Sequence, residues 1–400
     1  MMSDDLAGRV RQLAEGMDAR LRDIRRRIHS HPELGFEERR TARLAAGRLG
    51  ELGLKVREEI CRTGVVALIE GGSPGRVVAL RADMDGLPIE EQGDHPARST
   101  HPGVMHACGH DAHVACLLGA AEILTEVRRE FSGAVKCLFQ PSEEDLPSGA
   151  LAMVEAGVLD DPAVSFLVSL HVDPQLPAGH IGVRAGPFLA EARDFDIRIL
   201  GRSGHGAHPH EGIDAVVVAA HFIIAAQTLI SRRVDPLEPA VLSIGQIQGG
   251  QADNIIAGRV DLRGTLRCLD PVLADRLVDE LETLLAGVTG AAGARWEIDW
   301  SQGCLALSND RKVVDAVRRA VRRLYGPEVL HEDIPRSMGG DDLSYFLQQV
   351  PGAMFVLGVS DGTERTSYPL HHPRFDIDED ALTAGAAVLA LSAIELLSQP

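Results

Sequence analysis

Apolar residues in the opening segment recur three and four apart. Leu6, Val10 and Leu13 share one face, then Leu21, Ile24 and Ile28, the spacing of an amphipathic helix. The run His29-Ser-His-Pro-Glu33 breaks this period at Pro32, and a second helix is expected over about 37–52, because proline ends or kinks a helical run. From Val65 the period shortens. β-rich runs at 65–70, 76–81, 134–140 and 165–171 alternate with helical stretches at 111–130 and 149–156. Strands alternating with helices predict an α/β domain with a largely parallel sheet.

Near residue 190 the pattern changes. Phe195, Ile197 and Ile199 alternate with Asp196 and Arg198, which predicts a half-exposed strand. A helix at 214–231, strands at 240–248 and 259–268, an amphipathic helix at 271–286 and a strand at 295–300 follow. The order β-α-β-β-α-β is the split pattern of a ferredoxin-like module. After it come a helix at 310–325, a strand at 353–359 and a C-terminal helix at 380–397. The expected architecture is a catalytic α/β domain, residues 1–187 and 304–400, interrupted by a ferredoxin-like α+β domain at 188–303.

Composition narrows the function. The chain has 400 residues, 40 Lys+Arg against 58 Asp+Glu, a net charge of -18, and 45% hydrophobic residues. A core can form, and wholesale disorder is excluded. The acidic balance argues against nucleic acid and anionic membrane surfaces as partners. The start MMSDDLAGRV lacks an apolar h-region, so no signal peptide is expected. The longest apolar stretch, 215–230, contains His221, Gln227 and Thr228. It reads as a buried helix, too short and polar to span a bilayer. Six scattered cysteines without a CxxC pair point to a reduced, cytoplasmic setting.

Several loops beside expected strands carry chemistry. Arg81-Ala-Asp-Met-Asp85 and Gln140-Pro-Ser-Glu-Glu144 follow strands, His171 closes one, and Leu370-His-His-Pro373 lies beyond another. In an open α/β sheet, ligands bind outside the strand C-termini. A further stretch, His106-Ala-Cys-Gly-His-Asp-Ala-His113, offers thiolate and imidazole, ligands that suit zinc and its neighbours. Cys108 and His110 converge if a loop leads into a helix near Asp111, with Gly109 allowing the tight backbone. Glu144, His171 and His371 complete five protein ligands, which fit two ions about 4 Å apart better than one tetrahedral ion. If the Glu143-Glu144 pair is extended, one carboxylate binds metal while the other faces substrate and shuttles a proton from water to a leaving amine.

Each feature alone has an ordinary reading. CxH can be a buried Cys beside a surface His, Glu-Glu a solvated helix start, His171 a core histidine, and His371-His372 a plain loop. Asp83 and Asp85 are turn residues, unless Asp85 orients a ligand imidazole. Other chemistries lack their signatures. Gly201-Arg-Ser-Gly-His205 is no nucleophile elbow, no phosphate loop or GxGxxG after a strand occurs, and His331-Glu332 lacks the second His of HExxH.

Six segments together carry a resemblance: ALRADMDGLPIEE (79–91), GVMHACGHDAHVACLLGAA (103–121), QPSEE (140–144), SLHV (169–172), GHGAHPH (204–210) and LHHPRFDID (370–378). They resemble the aminoacylase/carboxypeptidase-type dinuclear metallohydrolases, in the subfamily of hippurate hydrolases, N-acyl-amino-acid amidohydrolases and auxin-conjugate hydrolases. The likeness runs from about residue 20 to 395. It implies that Cys108, His110, Glu144, His171 and His371 bind two divalent ions (zinc, manganese, cobalt or nickel), with Cys108 bridging. Glu143 would be the general acid/base. The inserted module would be a lid and dimerisation domain, His205 would stabilise the oxyanion in the partner's active site, and Asn254 and Arg267 would hold substrate carbonyl or carboxylate. The implied enzyme is a homodimeric amidohydrolase of N-acyl or N-aroyl L-amino acids. A dipeptidase or aminopeptidase with the same site, or a non-catalytic metal-binding protein, are the rivals. Ala257 replaces the family's usual Pro, Asp341 stands where Glu is usual, and segment 93–101 differs. His106, His113, His208 and His210 read as loop or supporting residues.

Overall fold

A computed structural model describes residues 4–399; the first three residues of the acidic N-terminal stretch lie outside it. The opening helical segment forms two helices, Asp4–Glu15 and Asp18–His29, and not one. Gly16 stands at the break, where low helix propensity lets the chain turn, and buried Met17 is the N-cap of the next helix. A third helix spans Arg39–Glu51. The strand Lys55–Ile60 was not expected. It pairs antiparallel with Gly64–Glu70, and only Ile60 is buried, so its polar sequence carries no apolar alternation.

Across the large sheet the strands run Lys55–Ile60, Gly64–Glu70, Ser132–Gln140, Ser73–Asp83, Phe166–Pro177, Gly352–Ser360, Ile181–Val183 and Leu330–Glu332. The middle strands, from Ser132–Gln140 to Gly352–Ser360, are parallel neighbours, as the α/β reading requires. Helices His110–Glu126 and Leu382–Leu397 are buried along nearly their whole length, so they read as apolar all round. Parallel strands bring their C-terminal ends to one edge, which places Asp83 and Gln140 side by side in register.

The strand bearing His171 does not end there but continues to Pro177 beside Gly352–Ser360. Its pairing with Ser73–Asp83 stops at Arg81↔Ser169. His171 therefore stands just past the end of one neighbour while still laddered to the other.

The chain divides into two compact units: 1–186, 308–335 and 345–400, and 187–307 with 336–344. The smaller contains the antiparallel sheet Ala240–Gly249, Arg259–Cys268, Glu191–Leu200, Arg295–Gln302, in that order. Its first and second strands in sequence are separated by the third, the split arrangement of the ferredoxin-like module. Phe195, Ile197, Ile199, Phe222, Leu277 and Leu281 belong to its core. Asp214 caps helix Ala215–Thr228, and Asp270 followed by Pro271 caps Pro271–Ala292.

Residues 336–344 depart from the expected boundary. Sequence placed them in the catalytic domain, but Ser337 N–H donates to Phe188 O (3.0 Å) and Ala190 N–H to Gly339 O (3.0 Å). Asp341, which stands where the resembled family usually has Glu, lies on this segment and accepts from Leu343 N–H at 2.7 Å.

The apolar helix from Ala215 is also not buried as expected. A π turn, Leu229–Arg233, prolongs it. By length and composition Ala215–Arg233 and Glu379–Leu397 could each cross a membrane, but the latter is a core helix with 89% of its apolar window buried, against 33% for the former. Val216, Val217 and Ile224 on the former are exposed.

Candidate metal centre

The HACGH stretch enters helix His110–Glu126 through Gly109, whose φ is +84°. A Cβ there would lie 2.4 Å from Val172 Cγ2, so both conformation and space require glycine. The turn brings buried Cys108 towards the strand of His171, with Sγ 3.5 Å from His171 Nε2. His371 adopts φ +64° and is tied to the same loop by its N–H, which donates to Ala107 O at 2.8 Å. Its Nε2 lies 3.3 Å from Glu144 Oε1.

The five donors expected from sequence fall into two triads that share Cys108. These are Cys108, His110 and His171, and Cys108, Glu144 and His371, with donor atoms within 4.8 Å of one another in each. The Glu143-Glu144 pair does not splay as an extended loop would. Ser142 takes φ +46°, and both carboxylates turn towards His110 Nε2, at 3.9 and 3.8 Å. Glu144 also reaches His371; Glu143 is absent from these two triads, although with His110 and Glu144 it forms a further group whose donors lie within the same distance.

Asp85 ties two of the donors together. Its carbonyl (2.9 Å) and Oδ1 (3.2 Å) face His110 Nδ1, and its Oδ2 accepts from Glu144 N–H at 3.0 Å. With Nδ1–H donated there, the neutral His110 ring has a bare lone pair on Nε2. That atom is buried without a hydrogen-bond partner and faces oxygens of Asp83, Glu143 and Glu144 at 3.8 to 3.9 Å. An acceptor surrounded by acceptors is unfavourable unless a cation sits among them. Burial opposes charge on this ring, yet with no cation at Nε2 Asp83, Asp85 and Glu144 prevail and raise its pKa to about 10, so a proton then occupies the place that a metal ion would take. Burial and the charges of Glu144, Glu143 and Asp83 push the Cys108 thiol well up. Its ionisation therefore needs a strong positive partner, as a metal provides. The donor set fits two divalent ions.

Sequence reasoning missed the charges that hold these loops. Arg25 Nε donates to Asp111 Oδ2 (2.7 Å) and its NH2 to Asp376 Oδ1 (3.1 Å), all buried. His29 Nδ1 lies 2.8 Å from the same Asp111 oxygen, and its Nε2 is 3.3 Å from Glu91 Oε1. His29, Glu91 and His95 form a further cluster of possible ligands. However, His95 already bonds Glu91 Oε1 at 2.6 Å, and Arg25 stands 3.1 Å from His29, so positive charge is already supplied. Glu38, wholly buried, accepts from Ser142 N–H (2.8 Å), Phe36 N–H (3.0 Å) and Thr63 Oγ1–H (2.6 Å). Desolvation pushes its pKa up to about 7. His113, read from the sequence as a loop or supporting residue, takes the supporting place, bonded to Asp83 and Val172; its i, i+3 spacing from His110 on one helix face is the signal.

His205, Asn254 and Arg267 belong to the smaller unit. A short ribbon pairs Gly204–His205 with Ile255–Ile256, and Gly206 N–H donates to Asn254 O at 2.7 Å, so His205 and Asn254 are neighbours. His205 Nδ1 accepts from Ala207 N–H at 3.0 Å, which places the neutral ring's proton on Nε2. Arg267, on strand Arg259–Cys268, donates to Met338 O at 3.1 Å.

Fold and donor set define the class, a metallohydrolase built on an α/β sheet. The model of peptidase family M20/M25/M40 matches residues 79–395, and the chain belongs to that family; it is an enzyme, a metallo-amidohydrolase. A Synechocystis protein described as a probable hydrolase is 43% identical over 96% of this chain and 97% of its own length. An N-acyl-L-amino acid amidohydrolase of Geobacillus stearothermophilus is 42% identical over 76% of this chain and 83% of its own. The crystal structure of a Bacillus subtilis protein, described as a dinuclear metal binding peptidase, superposes with a TM-score of 0.84 at 34% identity, covering 96% of this chain and 100% of that one.

Proposed function

We propose that the enzyme hydrolyses the amide of N-acyl or N-aroyl L-amino acids, releasing a carboxylic acid and a free amino acid, with two divalent ions held by Cys108, His110, His171, Glu144 and His371. The carrying observation is the pair of triads sharing Cys108 around a bare His110 Nε2. The substrate named for the Geobacillus relative and the two metals named for the Bacillus structure support it. Divalent ions at such a site polarise a carbonyl and lower the pKa of water towards about 7.

Glu143 takes the proton of the attacking water and delivers it to the amine as the C–N bond breaks. His205 offers its Nε2–H to the oxyanion. Arg267, its fork steadied by Met338 O, holds the amino-acid carboxylate bidentately, and Asn254 contacts the substrate carbonyl. Asp85 sets the tautomer of His110.

The smaller unit acts as a lid and dimerises, so that each His205 serves the other subunit. Supporting this, strand Ala240–Gly249 lies at the edge of its sheet, and Val216, Val217 and Ile224 expose an apolar helix face. Edge strands and apolar patches are joining surfaces. All six cysteines are free thiols, which suits the reducing cytoplasm, and the charge of -18 repels nucleic acid and anionic membranes.

A panel of hippurate, N-acetyl amino acids and dipeptides, with metal content measured in parallel, tests the reading. Fastest cleavage of dipeptides would replace it by a dipeptidase. Glu143→Gln should keep both ions and lose about 100-fold or more in turnover; loss of metal with activity would exchange the roles of Glu143 and Glu144. Mixing inactive His205→Ala and Glu143→Gln subunits under exchange should restore about a quarter of activity, since half the two-fold dimers are mixed, each with one intact site. A mixture that stays inactive despite exchange means His205 acts within its own chain or not at all.

A further inference from the structure

His113 is fully buried on the first turn of helix His110–Glu126. Its Nδ1 lies 2.6 Å from Asp83 Oδ1, and its Nε2 accepts the N–H of Val172 at 3.0 Å. Acceptance at Nε2 fixes the tautomer, with the proton on Nδ1 donated to Asp83. Both ring nitrogens are therefore engaged, and His113 is not available as a ligand although it clusters with Asp83 and His110. Asp83 is held in turn by Arg81 NH1 at 2.5 Å, and Arg81 Nε donates to Gln140 Oε1 at 2.8 Å.

The far end of this chain of bonds is His171. Pairing between strands Ser73–Asp83 and Phe166–Pro177 stops at Arg81↔Ser169. Beyond that point Val172 N–H has no strand neighbour on that side, and a buried N–H must find an acceptor elsewhere. His113 supplies it. The Val172 carbonyl accepts from His171 Nδ1–H at 2.8 Å, leaving Nε2 turned to Cys108. The His113 ring also meets the His171 ring edge-on, centroids 4.6 Å apart. One residue, Val172, is thus gripped by His113 through its N–H and grips His171 through its C=O.

We propose that Asp83 and His113 are a positioning pair for His171, and through it set the affinity of one of the two ions. This rests on the ligand assignment made above. Supporting hydrogen bonds to metal-bound histidines fix ring orientation, and their loss typically costs about 10–100-fold in metal affinity.

Two substitutions separate the pair's function from its bulk. In His113→Asn the amide nitrogen replaces Nδ1 and still donates to Asp83, but no atom reaches Val172 N–H. In His113→Gln the amide oxygen takes the place of Nε2 and accepts it. On the metal-loaded dimer, chelator competition with metal counting should show one ion weakened by about 10–100-fold in the Asn variant, the other unchanged, and recovery in the Gln variant. The cobalt-loaded Asn variant should lose the visible absorption of one site only. The His171→Ala variant should lose that same ion. If His171→Ala keeps both ions, the ligand assignment is wrong and this inference falls with it. If His171→Ala loses one ion while His113→Asn binds both like wild type, or weakens both equally, the positioning role alone is overturned. Should His113→Asn not fold, Asp83→Asn carries the test, and weakening of the same single ion is again the supporting result; two unaltered affinities overturn it.

Discussion

Charge is handled in opposite ways in the two units. In the larger unit Arg25, Asp111, Asp376, Arg81 and Asp83 are almost wholly removed from solvent; Arg25 bridges Asp111 and Asp376, and Arg81 pairs with Asp83. In the smaller unit Arg263 pairs with Asp196 at 2.6 Å while 69% and 48% of their side chains remain exposed, and Arg198 with Glu297 is similar. Buried ions cost several kcal/mol each unless their partners are complete, whereas exposed pairs contribute about 1 kcal/mol at most. The costly arrangement occurs where donor atoms must be held in place. Asp111 follows His110 directly, Asp83 faces it, and Glu38 grips Ser142 next to Glu143. His205 and Asn254, by contrast, stand on or beside an exposed ribbon of two-residue strands, which suits the substrate contacts proposed for them, since these need not hold a cation between them.

Arg25→Met breaks the buried side of this comparison most severely. It strips Asp111 and Asp376 of a shared guanidinium, leaving Asp111 with His29 and Asp376 with the half-exposed Arg365 as their remaining partners. Breaking a buried pair by removing one partner costs about 3–5 kcal/mol. Urea unfolding near neutral pH should show that loss, and raising salt to about 0.5 M should barely change it, because screening acts weakly on buried pairs. A loss below about 1 kcal/mol would put Arg25 in the same category as the exposed pairs.

Arg25 did leave a mark in the sequence. It sits beside Ile24 and one turn from Leu21 and Ile28, all buried, so an arginine occupies a core position of the helical pattern. The parallel strands were legible because burial on both faces makes them unbroken apolar runs. The candidate donors, which the fold brings together, were legible because Cys, His and Glu cluster where those runs end. Other features had no comparable signal. Lys55–Ile60 is an exposed edge with no apolar face. The ribbon of His205 is too short for any period. Segment 336–344 joins the smaller unit through backbone bonds at Ser337 and Gly339, which side-chain pattern does not encode. The turn at Ser142 that swings both glutamates inward depends on a buried carboxylate more than a hundred residues earlier, at Glu38.

Glu38 gives the next largest effect, and it depends on pH. Desolvation raises its pKa from 4.5 to about 7 in the folded chain. A raised folded pKa means the folded state binds the proton more tightly than the unfolded state. Stability from this group is therefore fully present below the unfolded pKa and is lost as pH rises through about 7. The full loss amounts to about 3 kcal/mol. Glu38→Gln cannot ionise, and its amide oxygen can still accept from Ser142 and Phe36 N–H. Its unfolding free energy should exceed that of wild type around pH 8–9, and the gap should close towards about pH 4. A gap that is constant with pH would show that Glu38 is not titrating in this range.

The smallest effect belongs to the exposed sheet face of the smaller unit. Arg263 and Asp196 face each other across paired strands but keep most of their hydration. Holding two side chains in one geometry costs entropy that offsets much of the attraction, so Arg263→Ala should change stability by no more than about 1 kcal/mol. In a chain of this size that is a shift of a few degrees in Tm at most. The sharper readout is salt. Any difference from wild type at low ionic strength should vanish at about 1 M salt, where the screening length falls to about 3 Å. Under the same titration the penalty of Arg25→Met should persist. Equal salt sensitivity in the two variants would erase the distinction between charges that place the donors of the larger unit and charges that keep the smaller unit's outer face hydrated.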